Sequence, residues 1–262
     1  GSEAPQVRRL PLPEGTLFGD ARAAGFATAR APVIAFLEEH TYVLPGWATA
    51  VLEAHRGPWV GVGTRIVAGN PTYGRSRLIG LLNYGHYAAP LRRGESARVP
   101  GHNATYKTDA LRSLGDDLTG LLGNDLVLQQ RLLARGGRFF LEPAAVLAHR
   151  NEGSLASIGR GIFLWYRSYG PLRAREGRWS WGRRMLYVVA APAIPFYFVA
   201  HFVPYLVRER KEGWARVACN LPFVWAMQLC GALGQAVGLA FGVGRAAEKF
   251  SRYELTEPRG PL

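Results

Sequence analysis

Cysteine is nearly absent from this chain: Cys219 and Cys230 are the only two in 262 residues, and both lie in one apolar segment. Eleven helical residues would hold them roughly 16 Å apart, beyond the reach of a disulfide, which predicts buried thiols and a reducing compartment. Acidic residues are also few, 19 against 32 Lys and Arg, for a formal net charge of +13. No ribonucleoprotein, zinc-finger or helix-turn-helix signature accompanies that charge, so nucleic acid is not an expected partner. The excess is uneven: residues 150–216 hold twelve Arg or Lys against four Glu and flank apolar segments, a pattern that suits a membrane surface with anionic lipids. There is no internal repeat and no low-complexity tract. The N-terminus has neither an initiator Met nor a signal-peptide pattern, and Gly1-Ser2 reads as a cloning scar or a fragment boundary.

What is present is a chain with 48% hydrophobic residues, apolar enough for a sizeable core and too apolar for intrinsic disorder. Its most informative segment is Val33-Ile34-Ala35-Phe36-Leu37-Glu38-Glu39-His40. A short β-branched run reads as a buried strand, here ending in two carboxylates and an imidazole. In an open α/β sheet, ligands sit beyond the carboxyl ends of the strands, so Glu38 and His40 are expected to face the crevice, with Glu39 turned aside by strand alternation. Carboxylate oxygen plus imidazole nitrogen suits Mn²⁺ or Mg²⁺ held with a phosphate. A solvated acidic turn is the plain alternative.

Helical and strand patterns alternate along the rest of the first 150 residues, as in a layered α/β domain. The Ala-rich stretch from Gly19 to Arg30 predicts a helix closed by Pro32. A second helix opens at Pro45 and runs to about His55, and Trp59 to Val67 predicts a strand. Helical spacing returns at Leu78–Tyr84 and Thr108–Leu114, and Asn124 is positioned to cap a helix stopped by Gly136-Gly137. Two short strands, Arg138–Leu141 and Ala145–Ala148, lead to His149.

Beyond Gly177 the composition changes. Met185–Val207 carries no charge in 23 residues and Val217–Val243 none in 27, so each is long enough to cross a bilayer. Pro192, Pro195 and Pro204 interrupt the first, and Arg183-Arg184 and Arg208, Arg210 and Lys211 flank its two ends. Charge at both ends predicts an interfacial or re-entrant segment with both ends cytoplasmic.

Taken in order, these pieces resemble an inverting family-2 glycosyltransferase of the GT-A fold. Ala21-Arg22-Ala23-Ala24-Gly25 is similar to the family's A-R-N-x-G helix, and Phe36 to His40 stands at the place of its F-L-D-x-D strand end. Pro45-Gly46-Trp47 matches its P-G-W, and Gly101-His102-Asn103-Ala104-Thr105-Tyr106-Lys107 its G-x-N-x-x-[FY]-[RK] segment. Asn124-Asp125 falls where the family has E-D, and Pro143 with Ala148-His149-Arg150 completes the run. The resemblance covers roughly residues 19–170. It implies a partial, Rossmann-like GT-A core over 1–177, followed by C-terminal membrane-associated or transmembrane helices over 178–262.

The resemblance also assigns roles. Asp125 becomes the general base, Glu38 and His40 the metal ligands with His149 as a third, and Mn²⁺ is favoured over Mg²⁺ by the imidazole. Arg22 resembles the family Arg that approaches the nucleotide, its alternative being an exposed helix charge. Glu39 is grouped with the donor-binding residues, and His102 and Asn103 suit donor or acceptor hydroxyls, although Asn103 also suits a cap. Phe163–Tyr169 falls near the acceptor-side helix or forms a packing face. Asp116-Asp117 reads as a solvated loop, and His55, His86 and His201 have no partner in sequence. The implied partners are a nucleotide-sugar donor and a lipid-linked or glycan acceptor, at the cytoplasmic side of the cell membrane.

Three features depart from the family, the first being the reduction of E-D to Asn124-Asp125. D-x-D is here Glu38-x-His40, and only 37 residues precede Glu38, fewer than the strand–helix units that normally hold the nucleotide require. A fragment is expected, or a non-catalytic membrane-associated scaffold derived from a glycosyltransferase.

Overall fold

The computed structural model describes residues 7–88, 90–208 and 214–260. Gly1-Ser2 and the pair Arg210-Lys211 lie outside them. Helix α1 (Phe18–Thr28) leads into strand β1 (Val33–Phe36), a short β2 (Thr41–Val43), helix α2 (Trp47–Ala54) and strand β3 (Gly61–Ala68). Helix α3 (Ser76–Tyr84), β4 (Gly94–Ser96), β5 (Ala104–Lys107), α4 (Thr108–Arg112), α5 (Leu118–Leu122), α6 (Asp125–Ala134) and β6 (Phe139–His149) follow. The last part is helical: α7 (Leu155–Glu176), α8 (Trp181–Val189), α9 (Ile194–Arg208), α10 (Trp214–Phe241) and α11 (Ala246–Thr256).

The sheet runs β1-β5-β3-β6-β2, with β4 also on β6. β5 is antiparallel to both β1 and β3, and β3 is parallel to β6. Hence β1, β3 and β6 point the same way, and Glu38 and His149 leave the sheet at one edge. β2 lies antiparallel on β6 with Thr41 opposite His149. That pairing carries His40 to His149 across more than a hundred residues.

The two short strands expected at 138–148 are one strand. The parallel register jumps from Thr64 opposite Glu142 to Arg65 opposite Val146, so a bulge takes up residues 143–145. Pro143, which has no N–H to give a ladder, sits inside it. Helix α1 ends at Thr28 rather than Arg30, because Pro32 disfavours helical geometry just before it.

The main core lies between the sheet and helices α4–α6, built on Phe36, Tyr106, Leu111, Leu122, Leu128 and Phe139. Trp165, Tyr166 and Leu172 of α7 pack on the same cluster. Helix α10 then packs along α7. A Cβ on Gly234 would meet the backbone carbonyl of Phe163, and one on Gly238 that of Arg167, so these glycines permit backbone contact that no larger residue allows.

Among the described residues, Ala218–Phe241 is one helix of 24 residues long and apolar enough to cross a membrane, with 56% of its most apolar window buried inside the protein. Trp181–Val189 and Ala191–His201 meet the same criterion only as a pair bent by 48°. Neither thiol is deeply buried as expected: Cys219 is exposed and Cys230 half-buried.

Candidate active site

At the shared strand edge, Glu38, His40 and His149 converge, all three buried. Nε2 of His40 lies 3.0 Å from Nε2 of His149. Oε2 of Glu38 is 3.2 Å from His149 Nε2 and 3.6 Å from His40 Nε2. The outer nitrogens decide the tautomers. His40 Nδ1 faces Glu39 Oε1 at 3.1 Å, and His149 Nδ1 faces Asn151 Oδ1 at 2.9 Å. Carboxylate and amide oxygens only accept, so each Nδ1 donates, and in that tautomer each Nε2 turns a lone pair inward.

Two lone pairs at 3.0 Å repel one another unless a cation lies between them. A divalent ion with ligands at about 2.1 Å holds neighbouring donor atoms about 3 Å apart. The donor set therefore fits a metal, and these residues would hold it.

Burial by itself raises the Glu38 carboxyl, but the surrounding His149, His102 and His40 outweigh it and hold the group well below the usual carboxylate range. Its backbone N–H donates to Asn103 Oδ1 at 3.3 Å, and Asn103 Nδ2 donates back to Oε2 at 2.6 Å. Asn103 is fully buried, so the structure gives its amide to positioning Glu38 instead of leaving it for a ligand hydroxyl. Tyr84 donates to Glu38 Oε2 at 3.3 Å. Burial, with Glu38 beside it, pushes its phenol well above the ordinary value and keeps it a donor. Glu39 is exposed and touches the triad only through His40.

Asp125 opens α6 behind its cap Asn124, whose side chain accepts from Val127 N–H. That places a carboxylate at a helix N-terminus, where the dipole favours it. Arg22 Nη1 donates to Asp125 Oδ1 at 2.8 Å, its guanidinium stacked on the Phe18 ring. His102 Nδ1 is 3.2 Å from Asp125 Oδ2, outside hydrogen-bond geometry, so Oδ2 has no hydrogen-bond partner. The same nitrogen lies 3.9 Å from Glu38 Oε1, which places His102 between the triad and Asp125. Gly101 permits this closeness: a Cβ there would lie 2.8 Å from that of Asp125.

Glu38, His40, Tyr84, His102, Asp125 and His149 line a cavity of about 340 Å³ that continues along Leu82, Ile158, Ile162, Phe198 and Met227 to α9 and α10. Trp165 and Tyr166 form another part of the wall, so the aromatic stretch serves both core and cavity. Asp117 pairs with Arg131 at the surface, as suits a solvated loop. His55 is buried on Thr105, and His201 bonds the Tyr197 carbonyl.

Sequence reasoning missed Tyr84, Asn151, Glu152, Glu254 and Arg259, all but Asn151 lining the cavity. Asn151 and Glu152 stand just after His149 and were within reach of the pattern. Nothing in the sequence links Arg259 to residues more than a hundred positions earlier.

Comparison with known proteins bears on this geometry. The sequence model of glycosyl transferase family 2 matches residues 2–115. Proteins named "Pre-mycofactocin glycosyltransferase" in two strains of Mycobacterium tuberculosis are 31% identical over 164 residues, 60% of this chain. The matched segment spans 35% of those proteins, about a third of their length. The mixed sheet, with Glu38 and His149 leaving it at one edge, fits a GT-A-like core. Both matches are to glycosyltransferases, and each covers part of this chain.

Proposed function

We propose that this chain transfers a sugar, with inversion, from a nucleotide-sugar donor to a hydroxyl of a lipid-linked or membrane-proximal acceptor. The observation that carries the reading is the convergence of Glu38, His40 and His149 within one cavity that also holds Asp125. Bound there, Mn²⁺ would offset the charge of a leaving diphosphate. Asp125 supplies the base: Arg22 fixes one oxygen, and the other, without a partner, accepts the proton of the attacking hydroxyl. His102 lies between the two functions and orients the reacting groups.

The cavity's apolar wall supports an acceptor with a hydrocarbon part. Leu82, Ile158, Ile162, Phe198 and Met227 run from the polar centre to α9 and α10, so a polar head at Asp125 and an apolar tail along the helices would each meet matching chemistry. The exposed apolar residues of α8, with Arg183 and Arg184 on the same helix, support a location at an anionic membrane.

Equilibrium binding of UDP and GDP, with Mn²⁺ and with EDTA, tests the reading. Metal-dependent affinity that His40→Ala removes is the expected result. Affinity for neither nucleotide under any metal condition would favour the non-catalytic scaffold.

A further inference from the structure

On the wall of the cavity formed by the end of the chain, four side chains form a network that the proposed reaction does not use. Arg259 Nη1 donates to Glu152 Oε1 at 3.1 Å, and Nη2 donates to Glu254 Oε2 at 2.6 Å. Tyr253 Oη donates to the same Glu152 oxygen at 2.9 Å. The tail is held in place from the other side, since Asn70 Nδ2 donates to the Arg259 carbonyl at 2.5 Å. Glu152 and Arg259 side chains are 6% and 4% exposed, yet Glu152 Oε2 and Arg259 Nε have no hydrogen-bond partner. A buried acceptor and a buried donor without partners are costly unless something completes them.

The chemistry of the network narrows what that can be. A phosphate only accepts, and it would face Glu38, Glu152 and Glu254 around a single guanidinium. A second metal ion would meet the Arg259 guanidinium, which already occupies one oxygen of each carboxylate. A sugar hydroxyl donates and accepts at once, which matches a carboxylate oxygen and a guanidinium N–H that both lack partners. Phe250, stacked near Tyr253 with ring centroids 6.0 Å apart, also lines the cavity and offers an apolar face of the kind a pyranose ring covers.

We propose that Glu152, Tyr253, Glu254 and Arg259 form a sugar-binding subsite that reads ring hydroxyls beside the Glu38–His40–His149 centre. The subsite rests on the glycosyltransferase reading and adds the residues that hold the sugar. The ring it holds comes from the donor or from a glycan acceptor.

Two assays on the whole chain separate these sources. Saturation-transfer NMR with methyl glucoside, mannoside and galactoside reads an acceptor-side sugar without any nucleotide. Calorimetry in Mn²⁺ with UDP and UDP-glucose, and with GDP and GDP-mannose, reads what a donor sugar adds to nucleoside diphosphate affinity. Glu152→Gln and Arg259→Lys are expected to weaken whichever sugar signal the wild type shows by about tenfold or more, with nucleoside diphosphate affinity unchanged. Glu254→Gln, at the half-buried edge, is the third variant and keeps the test decisive if either of the others fails to fold.

A wild type with no sugar signal in either assay overturns the proposal. So do folded variants that keep the full signal, and folded variants in which sugar and nucleoside diphosphate affinity fall together. A wild type that binds no nucleoside diphosphate overturns the reading beneath it, and the glycoside assay then decides the subsite alone.

Discussion

His40 and His149 face each other edge to face, ring centroids 4.7 Å apart and Nε2 atoms 3.0 Å apart, with each outer nitrogen held by an oxygen acceptor. Their arrangement is that of two ligands for one ion. His149→Ala should cut Mn²⁺ affinity by at least the roughly 10- to 100-fold that loss of an orienting partner costs. Asn151→Ala, which removes the acceptor at His149 Nδ1 together with a donor to Ser76 Oγ, should fall within that range. Electron paramagnetic resonance titration of free Mn²⁺ measures both, and wild-type affinity in His149→Ala would remove the residue from the site.

Asp125→Asn keeps the size of the side chain and removes its capacity to take a proton. Sugar transfer should fall by about 10²-fold or more in kcat, with donor KM little changed. Gly101→Ala approaches the same carboxylate by another route, since the added methyl meets Asp125 Cβ at 2.8 Å. It should lower kcat while leaving Mn²⁺ affinity intact; a normal kcat would show that the loop yields without moving the base.

His55 gives the fold an acid-sensitive position. Thr105 Oγ1 donates to the Val62 carbonyl and therefore accepts from His55 Nε2 at 2.9 Å, so the proton is on Nε2 and the buried Nδ1 is bare and unpartnered. Burial, helped by Lys107, lowers this imidazole to about 4. Between pH 6.5 and 4 the unfolded chain binds a proton that the folded chain refuses, so stability falls as pH drops through that window, by about 2 kcal/mol after allowance for partial solvation. Urea midpoints at pH 7, 5.5 and 4.5 should show this slope, and His55→Asn should flatten it. Equal slopes would assign the acid sensitivity elsewhere.

Trp181, Leu186 and Val189 of α8 are 75%, 64% and 78% exposed, on a helix that also carries Arg183 and Arg184. The chain should float with vesicles containing phosphatidylserine and bind neutral vesicles less, with salt weakening the difference. Leu186→Glu with Val189→Glu should lower vesicle binding about tenfold or more without changing the fold. Equal flotation of the double variant would place membrane contact elsewhere, with α10 the next segment to test.

Local chemistry made much of this legible before the fold was seen. β-branched residues ending in Glu38 and His40 mark a strand and its edge, Asn124 marks a helix start, and Pro45 falls two residues short of another, which begins at Trp47 behind the left-handed Gly46, because strand alternation and capping act within a few residues. Tertiary structure decided what those rules do not reach. The bulge that makes 139–149 one strand depends on the neighbouring β3 register, and Asn103 binds Glu38 instead of a ligand because β1 and β5 lie side by side. The pairing of Thr41 with His149 and the return of Arg259 to Glu152 join residues more than a hundred positions apart, and such contacts arise only when the whole sheet and its covering helices exclude water together.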